Sequence, residues 1–178
     1  MTLELRLATT NELSRAELTA LRALLDEAFE GDFSAHDWEH CLGGVHVIAT
    51  AGGGPISHAG VIDRVLVAGD RPLQTGYVEG VGTQPRLQGR GYGTKVMEAV
   101  NGIISARYQL GGLGTGNLGF YERLGWVLWQ GPTGVKTPTG VKWTPEEDGA
   151  VMVLRTTSTN NLDLSAPLLC DWRAGDVW

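Results

Sequence analysis

The chain has 178 residues, enough for one domain with a substantial core and too few for two ordinary ones. With 42% hydrophobic and 19% charged residues it has the balance of a water-soluble globular protein, and a net charge of −6 speaks against a nucleic-acid partner, whose phosphates need a basic surface. No apolar run reaches membrane-spanning length, Met1-Thr2-Leu3-Glu4-Leu5 carries no basic leader region, and two cysteines without CxxC spacing, Cys41 and Cys170, suit reduced thiols in the cytoplasm.

Leu3, Leu5 and Leu7 alternate with polar residues and predict a short opening strand. Ser14-Arg15-Ala16-Glu17 has capping-box spacing, and Leu18, Leu21, Leu24, Leu25, Ala28 and Phe29 follow at helical intervals. An amphipathic helix is therefore expected from Ser14 to about Glu30, ended by Gly31. A second short helix is expected from Ser34, with Asp37 three residues on, stopping at Gly43-Gly44. Val45 to Thr50 and Ile56 to Val67 read as a hairpin around Ala51-Gly52-Gly53-Gly54-Pro55, and a further strand runs from about Leu73 to Thr83, closed by Pro85. Val96, Met97, Val100, Ile103 and Ile104 mark the buried stripe of a helix from about Gly93 to Arg107. A strand over residues 108–113, a short helix from Asn117 to Leu124 and strands at 126–129 and 150–155 complete the elements. Residues 131–149, rich in Gly, Pro and Thr, read as a long loop of the kind that carries function. The layout is mixed α/β in a single domain, residues 1–178.

Charge is unevenly spread. No Lys or Arg falls between Arg22 and Arg64, while Asp26, Glu27, Glu30, Asp32, Asp37, Glu39 and Asp63 do. Arg86, Arg90 and Lys95 cluster further on. A focused negative field attracts cations, and a basic patch suits an anion.

Gln88-Gly89-Arg90-Gly91-Tyr92-Gly93 lies between a predicted strand and a predicted helix. Glycines let backbone N–H groups converge on a ligand, and the following helix adds its positive end, which makes an anion site. Gly93-Thr94-Lys95 reverses the Lys-Ser/Thr order of nucleotide phosphate loops, and glycines at 89, 91 and 93 miss the dinucleotide fingerprint. The spacing Gln/Arg-x-x-Gly-x-Gly matches the coenzyme A signature of the Gcn5-related N-acetyltransferase (GNAT) superfamily, which it resembles. Glu79-Gly80-Val81-Gly82-Thr83 and Tyr121-Glu122-Arg123-Leu124-Gly125-Trp126 also look like that superfamily's segments, although the stretch from Leu113 to Tyr121 is shorter than usual.

The resemblance extends to the aminoglycoside 2′-N-acetyltransferases. It is carried by Gly31-Asp32-Phe33, Asp37-Trp38-Glu39-His40, Leu42-Gly43-Gly44, Gly76-Tyr77-Val78-Glu79-Gly80-Val81, Tyr108-Gln109-Leu110-Gly111 and Cys170-Asp171-Trp172-Arg173-Ala174-Gly175-Asp176-Val177-Trp178. It implies a mixed, mostly antiparallel sheet flanked by helices, with a splayed strand pair that binds acetyl-CoA. Val81, Gly82, Thr83, Gln88, Gly89, Arg90, Gly91, Tyr92, Gly93 and Thr94 would hold the cofactor. Asp32, Asp37, Glu79, Gly80, Glu147 or its neighbour Asp148, Asp176 and the Trp178 carboxylate would surround an aminoglycoside, a polycation that needs carboxylate acceptors. The implied reaction is direct attack of the 2′-amine in a ternary complex, giving antibiotic resistance. Glu79 would act as base through water, the Val81 N–H as oxyanion donor and Tyr121 as acid.

The resemblance also implies a homodimer. A GNAT enzyme acting on a cell-wall amino sugar or another amine, or a coenzyme A-binding sensor, stays open as an alternative. His36-Asp37-Trp38-Glu39-His40 formally fits the zinc pattern H-x-x-E-H, but no third ligand is evident and no metal is expected. His46 and His58 read as ordinary strand positions.

Overall fold

A computed structural model describes residues 3–178; Met1 and Thr2, which open the segment read for a leader, lie outside the described residues. In chain order the elements are β1 (Glu4–Thr9), α1 (Arg15–Ala28), α2 (Ala35–His40), β2 (Val45–Ala51), β3 (Gly54–Ala68), β4 (Arg71–Thr83), α3 (Tyr92–Arg107), β5 (Leu110–Gly114), α4 (Leu118–Glu122), β6 (Val127–Leu128), β7 (Thr133–Thr137), β8 (Gly140–Trp143), β9 (Val151–Arg155) and β10 (Leu168–Asp171). The chain divides into two compact units, Met1–Ile62 with Val78–Val100 and Asp63–Tyr77 with Asn101–Trp178, so that β3, β4 and α3 each contribute to both.

In the first unit β1 pairs antiparallel with β2, and β2 with β3. The predicted helices form where their caps stand. Ser14 closes a capping box with Glu17 at the start of α1, whose Leu21, Leu24 and Leu25 are buried. Ser34 does the same with Asp37 at α2. The opening alternation marks a strand but misplaces its covered face: Leu5 and Leu7 are 43% and 54% exposed, and Ala8 carries the burial.

In the second unit the ladder β6-β9-β5-β4 runs beside β3-β10-β7-β8. β4–β5 and β7–β10 are parallel, and the other registered pairs are antiparallel. The crossover through α3 makes the β4–β5 pairing parallel, and the five predicted stripe residues of that helix are all buried. Gly76 and Gly111 let the helix close on the strands: a Cβ at either would stand 3.0 Å from Ile104 of α3.

The reading of residues 131–149 as a loop is corrected. Thr133-Gly134-Val135 and Val141-Lys142-Trp143 form the hairpin β7–β8, turned at Pro138-Thr139, and β7 also pairs with β10. The Gly, Pro and Thr content masked a strand because Thr and Val favour extended backbone and the prolines sit at the ends and in the turn. No helix among the described residues is long and apolar enough to cross a membrane.

Candidate active site

In the first unit β4 is distorted at its centre. Gly80 takes φ 57°, and a Cβ there would lie 2.6 Å from Cys41 Sγ and 3.2 Å from Leu25 Cδ1. Only glycine combines that conformation with that closeness. Glu79, next to it, is half-buried. Leu25 and Cys41 also pack on Phe33, so the acidic segment after α1 is anchored on the side chains that touch Gly80. Glu30 (φ 55°) and Gly31 (φ 86°) are both left-handed and turn the chain to present Asp32, which is exposed. Arg22 pins this segment: it pairs with Asp26 at 2.9 Å, donates to the Phe33 carbonyl at 3.1 Å and lies over the Phe33 and Trp38 rings. Asp37 has a structural duty as well, because its Oδ2 accepts from the Ser34 N–H at 2.7 Å.

The registered β4–β5 ladder covers Thr75–Tyr77 against Leu110–Gly112, although β4 runs on to Thr83. Residues 81–83 lie beyond that registered ladder, and the Gly82 carbonyl accepts from Ser57 Oγ at 3.0 Å. Beyond them Gln88 donates to the Thr83 carbonyl at 3.3 Å and ties the glycine loop to the strand end. Gly89 and Gly91 have φ 72° and 82°, with nothing within 4 Å of an added Cβ, so the loop is open to its surroundings. Lys95 N–H makes a helical bond to Gly91 O at 3.1 Å. Tyr92, Gly93 and Thr94 stand in the first turn of α3, where N–H groups have no intrahelical partner. That turn contains no acidic residue, and Arg90 stands exposed beside it. Left-handed glycines, unpartnered donors and a cation fit the pyrophosphate of a coenzyme A.

The second unit holds the other predicted residues. Tyr121, on α4, is buried, with Phe120 and Trp126 edge-on to its ring at centroid distances of 4.9 and 6.2 Å. Burial pushes its phenol up to about 12. Glu147 has its carboxyl pushed up by burial and then by the neighbouring Asp176 and Glu146 carboxylates, a grouping of like charge. Asp148 behaves differently from its neighbour: its Oδ1 accepts from the Thr133 N–H and hydroxyl, each at 2.9 Å, and fastens the start of β7. Asp176 Oδ1 accepts from the Trp178 N–H at 3.1 Å. The Trp178 indole is buried and donates to Thr144 Oγ1 at 3.0 Å, while its backbone oxygen accepts from Arg173 at 3.0 Å.

The structure thus gathers Glu79, Gly80 and the Asp32 segment in one unit, and Glu147 and Asp176 in the other. His46 and His58, ordinary in the sequence, are fully buried and hydrogen-bonded to each other, and His58 also bonds to Gly80. The signal that could have found them is two polar residues 12 apart on apolar strands of one hairpin. No group of three or more His, Cys, Asp or Glu among the described residues could hold a metal ion.

A family model, the acetyltransferase (GNAT) domain, matches residues 9–128. An aminoglycoside 2′-N-acetyltransferase of Mycolicibacterium fortuitum is 44% identical over 177 residues, covering 97% of this chain and 91% of that protein. Among solved structures, a GNAT family N-acetyltransferase from Escherichia coli in complex with CoA superposes with a TM-score of 0.67 at 17% identity, over 94% of this chain and 89% of that one. A GNAT family acetyltransferase from Brucella melitensis in complex with acetyl-CoA gives 0.62 at 15% identity, over 96% and 97%.

Proposed function

The chain belongs to the aminoglycoside 2′-N-acetyltransferase family of the GNAT superfamily and is an acetyl-CoA-dependent N-acetyltransferase; from that premise we propose that its acceptor is the 2′-amine of an aminoglycoside. The observation that carries the acceptor is the like-charge crowding of Glu147, Asp176 and Glu146, which a bound polycation relieves. Asp32 and Glu79 are further candidate acceptors, and Asp37 keeps one carboxylate oxygen beyond its capping bond.

Acetyl-CoA supplies, when bound, an acetyl group activated as a thioester. Residues 81–83 hold its pantetheine arm through their backbone, and residues 88–94 hold its pyrophosphate. An ammonium does not attack a carbonyl, so the acceptor must first lose a proton, and Glu79 takes it through one or more waters. The Val81 N–H donates to the oxygen on which negative charge develops. Tyr121, a phenol protonated at neutral pH and pushed further up by burial, supplies the proton for the leaving sulfur. Transfer is direct, within a ternary complex, and its biological outcome is resistance to the drug.

Regiospecificity tests the proposal. Tobramycin, with a 2′-amine, is acetylated in the presence of acetyl-CoA, and kanamycin A, with a 2′-hydroxyl, is not; mass spectrometry of the products reads the difference. Equal modification of both, or of neither, sinks the assignment. The cofactor side has its own test. Gly91→Val places a branched side chain at φ 82°, which costs roughly 1–2 kcal/mol in the left-handed region. Titration calorimetry should then show CoA binding weakened about tenfold as the loop reshapes. Unchanged affinity removes Gly91 from the phosphate loop.

A further inference from the structure

The two buried histidines, which the reaction above does not use, belong to a chain of hydrogen bonds with a forced direction. Gly80 O can only accept, so at 2.8 Å His58 must carry its proton on Nδ1. Neutral His58 then offers Nε2 as an acceptor, and the partner at 2.9 Å, His46 Nδ1, must donate. His46 Nε2 is left to accept from the Thr10 hydroxyl at 2.8 Å. Thr10 Oγ1 in turn accepts the Gly43 N–H at 2.8 Å. Every donor and acceptor along Gly43, Thr10, His46, His58 and Gly80 is matched once, and no other tautomer pair satisfies the set. Both imidazoles are buried to 0% exposure. Burial lowers both, His58 to about 4, which keeps them neutral at neutral pH as the chain requires.

The chain starts from a fixed point. Gly44 is packed so tightly that a Cβ would stand 2.1 Å from the Val61 carbonyl oxygen, and Thr10 N–H also bonds Gly44 O at 3.1 Å. It ends on a peptide that needs fixing. Gly80 is left-handed, the freest residue type in a distorted stretch of strand. No peptide of the described chain is cis, so the Gly80 C=O and the Val81 N–H belong to one planar trans unit and point in opposite directions. Drawing the carbonyl inward to His58 therefore aims the Val81 N–H the opposite way.

We propose that His58, held by His46 and Thr10, is a positioning residue that orients the Gly80–Val81 peptide so that the Val81 N–H serves as oxyanion donor. The proposal rests on the role given to Val81 above. It assigns no proton transfer to the histidines, because the chain ends on a carbonyl oxygen that cannot pass a proton on.

Two amide isosteres separate the contacts of His58. Asn at position 58 can present an N–H near the place of Nδ1 and keep the bond to Gly80, whereas Gln reaches the place of Nε2 and loses it. His58→Asn should keep kcat within about threefold, and His58→Gln should lower it about 10- to 100-fold, a misdirected donor costing up to what a deleted one costs. KM for acetyl-CoA and for tobramycin should stay within about threefold in both variants, because the peptide acts only where charge develops. Equal kcat losses in the two variants, or a loss confined to KM, overturn the proposal.

Long-range nitrogen–proton NMR correlation on the wild-type protein should show neutral imidazoles protonated on Nδ1 at both positions; Nε2–H on His58 overturns the proposal irrespective of any variant's folding. The Val81 amide resonance should shift in His58→Gln and hold in His58→Asn, and a resonance unmoved by His58→Gln likewise overturns it. If the wild-type enzyme leaves tobramycin unmodified, the acceptor assignment fails, and the tautomers and the Val81 resonance still decide the positioning role.

Discussion

Replacing Tyr121 by Phe should lower kcat roughly 100-fold, within the range that a positioned general acid contributes. The ring is buried and held edge-on by Phe120 and Trp126, so Phe fills the same space and the fold is retained. CoA affinity, measured by calorimetry, should stay within about twofold, because the substitution removes a proton donor and leaves the phosphate loop untouched. The pH profile gives a second reading with a definite sign. A phenol pushed up to about 12 keeps its proton across the neutral range and loses it only above that value. The alkaline fall of wild-type kcat that belongs to Tyr121 should therefore lie near 12 and not at the ordinary tyrosine value of about 10. A Tyr121→Phe enzyme with wild-type kcat assigns the leaving-group proton to another donor.

What could be read in the sequence was whatever depends on local chemistry. Ser14 and Ser34 announce their helices because a capping box is complete within four residues. The glycines at 89 and 91 announce a left-handed loop because few other residues tolerate those angles. The buried face of α3 follows from helical spacing alone. What stayed hidden depends on tertiary neighbours. Leu5 and Leu7 alternate as a covered strand does, yet the side that is covered is decided by what lies across it. The hairpin β7–β8 is extended by pairing of β7 with β10, whose registered partners lie 35 residues further on, and local composition cannot report that. Asp148 was legible as a carboxylate, but not as a group already holding a strand start. His46 and His58 gain their meaning only when the β2–β3 register brings their rings within hydrogen-bond distance beneath Gly80.

Trp126→Ala should produce the largest loss of stability among single substitutions around Tyr121. Trp126 is 1% exposed and is the largest of the fully buried side chains. Its indole N–H donates to Asn101 Oδ1 at 2.9 Å, and the Asn101 amide donates to the Leu124 carbonyl at 2.9 Å, so one side chain ties α3 to the turn after α4. Truncation leaves a cavity against Gly111 and strands the Asn101 oxygen, together costing about 3–5 kcal/mol. At roughly 2–4 °C per kcal/mol for a chain of this size, the melting temperature should fall by about 10 °C. Trp126→Phe, which keeps one aromatic ring in the core but loses the outer ring that touches Gly111 and the N–H bond, should fall by less than Trp126→Ala.

The same contact links stability to catalysis. Trp126 packs edge-on to Tyr121, and its backbone N–H bonds the Tyr121 carbonyl at 3.2 Å, so the indole and the main chain together set the phenol. At a temperature where Trp126→Ala is still folded, kcat should drop at least tenfold with CoA affinity retained, because the loop at residues 88–93 has its own anchor on Thr83. A variant that melts within 2 °C of wild type on the scale of about 2–4 °C per kcal/mol contradicts the packing role. One that melts low yet keeps full kcat shows that Tyr121 is positioned without it.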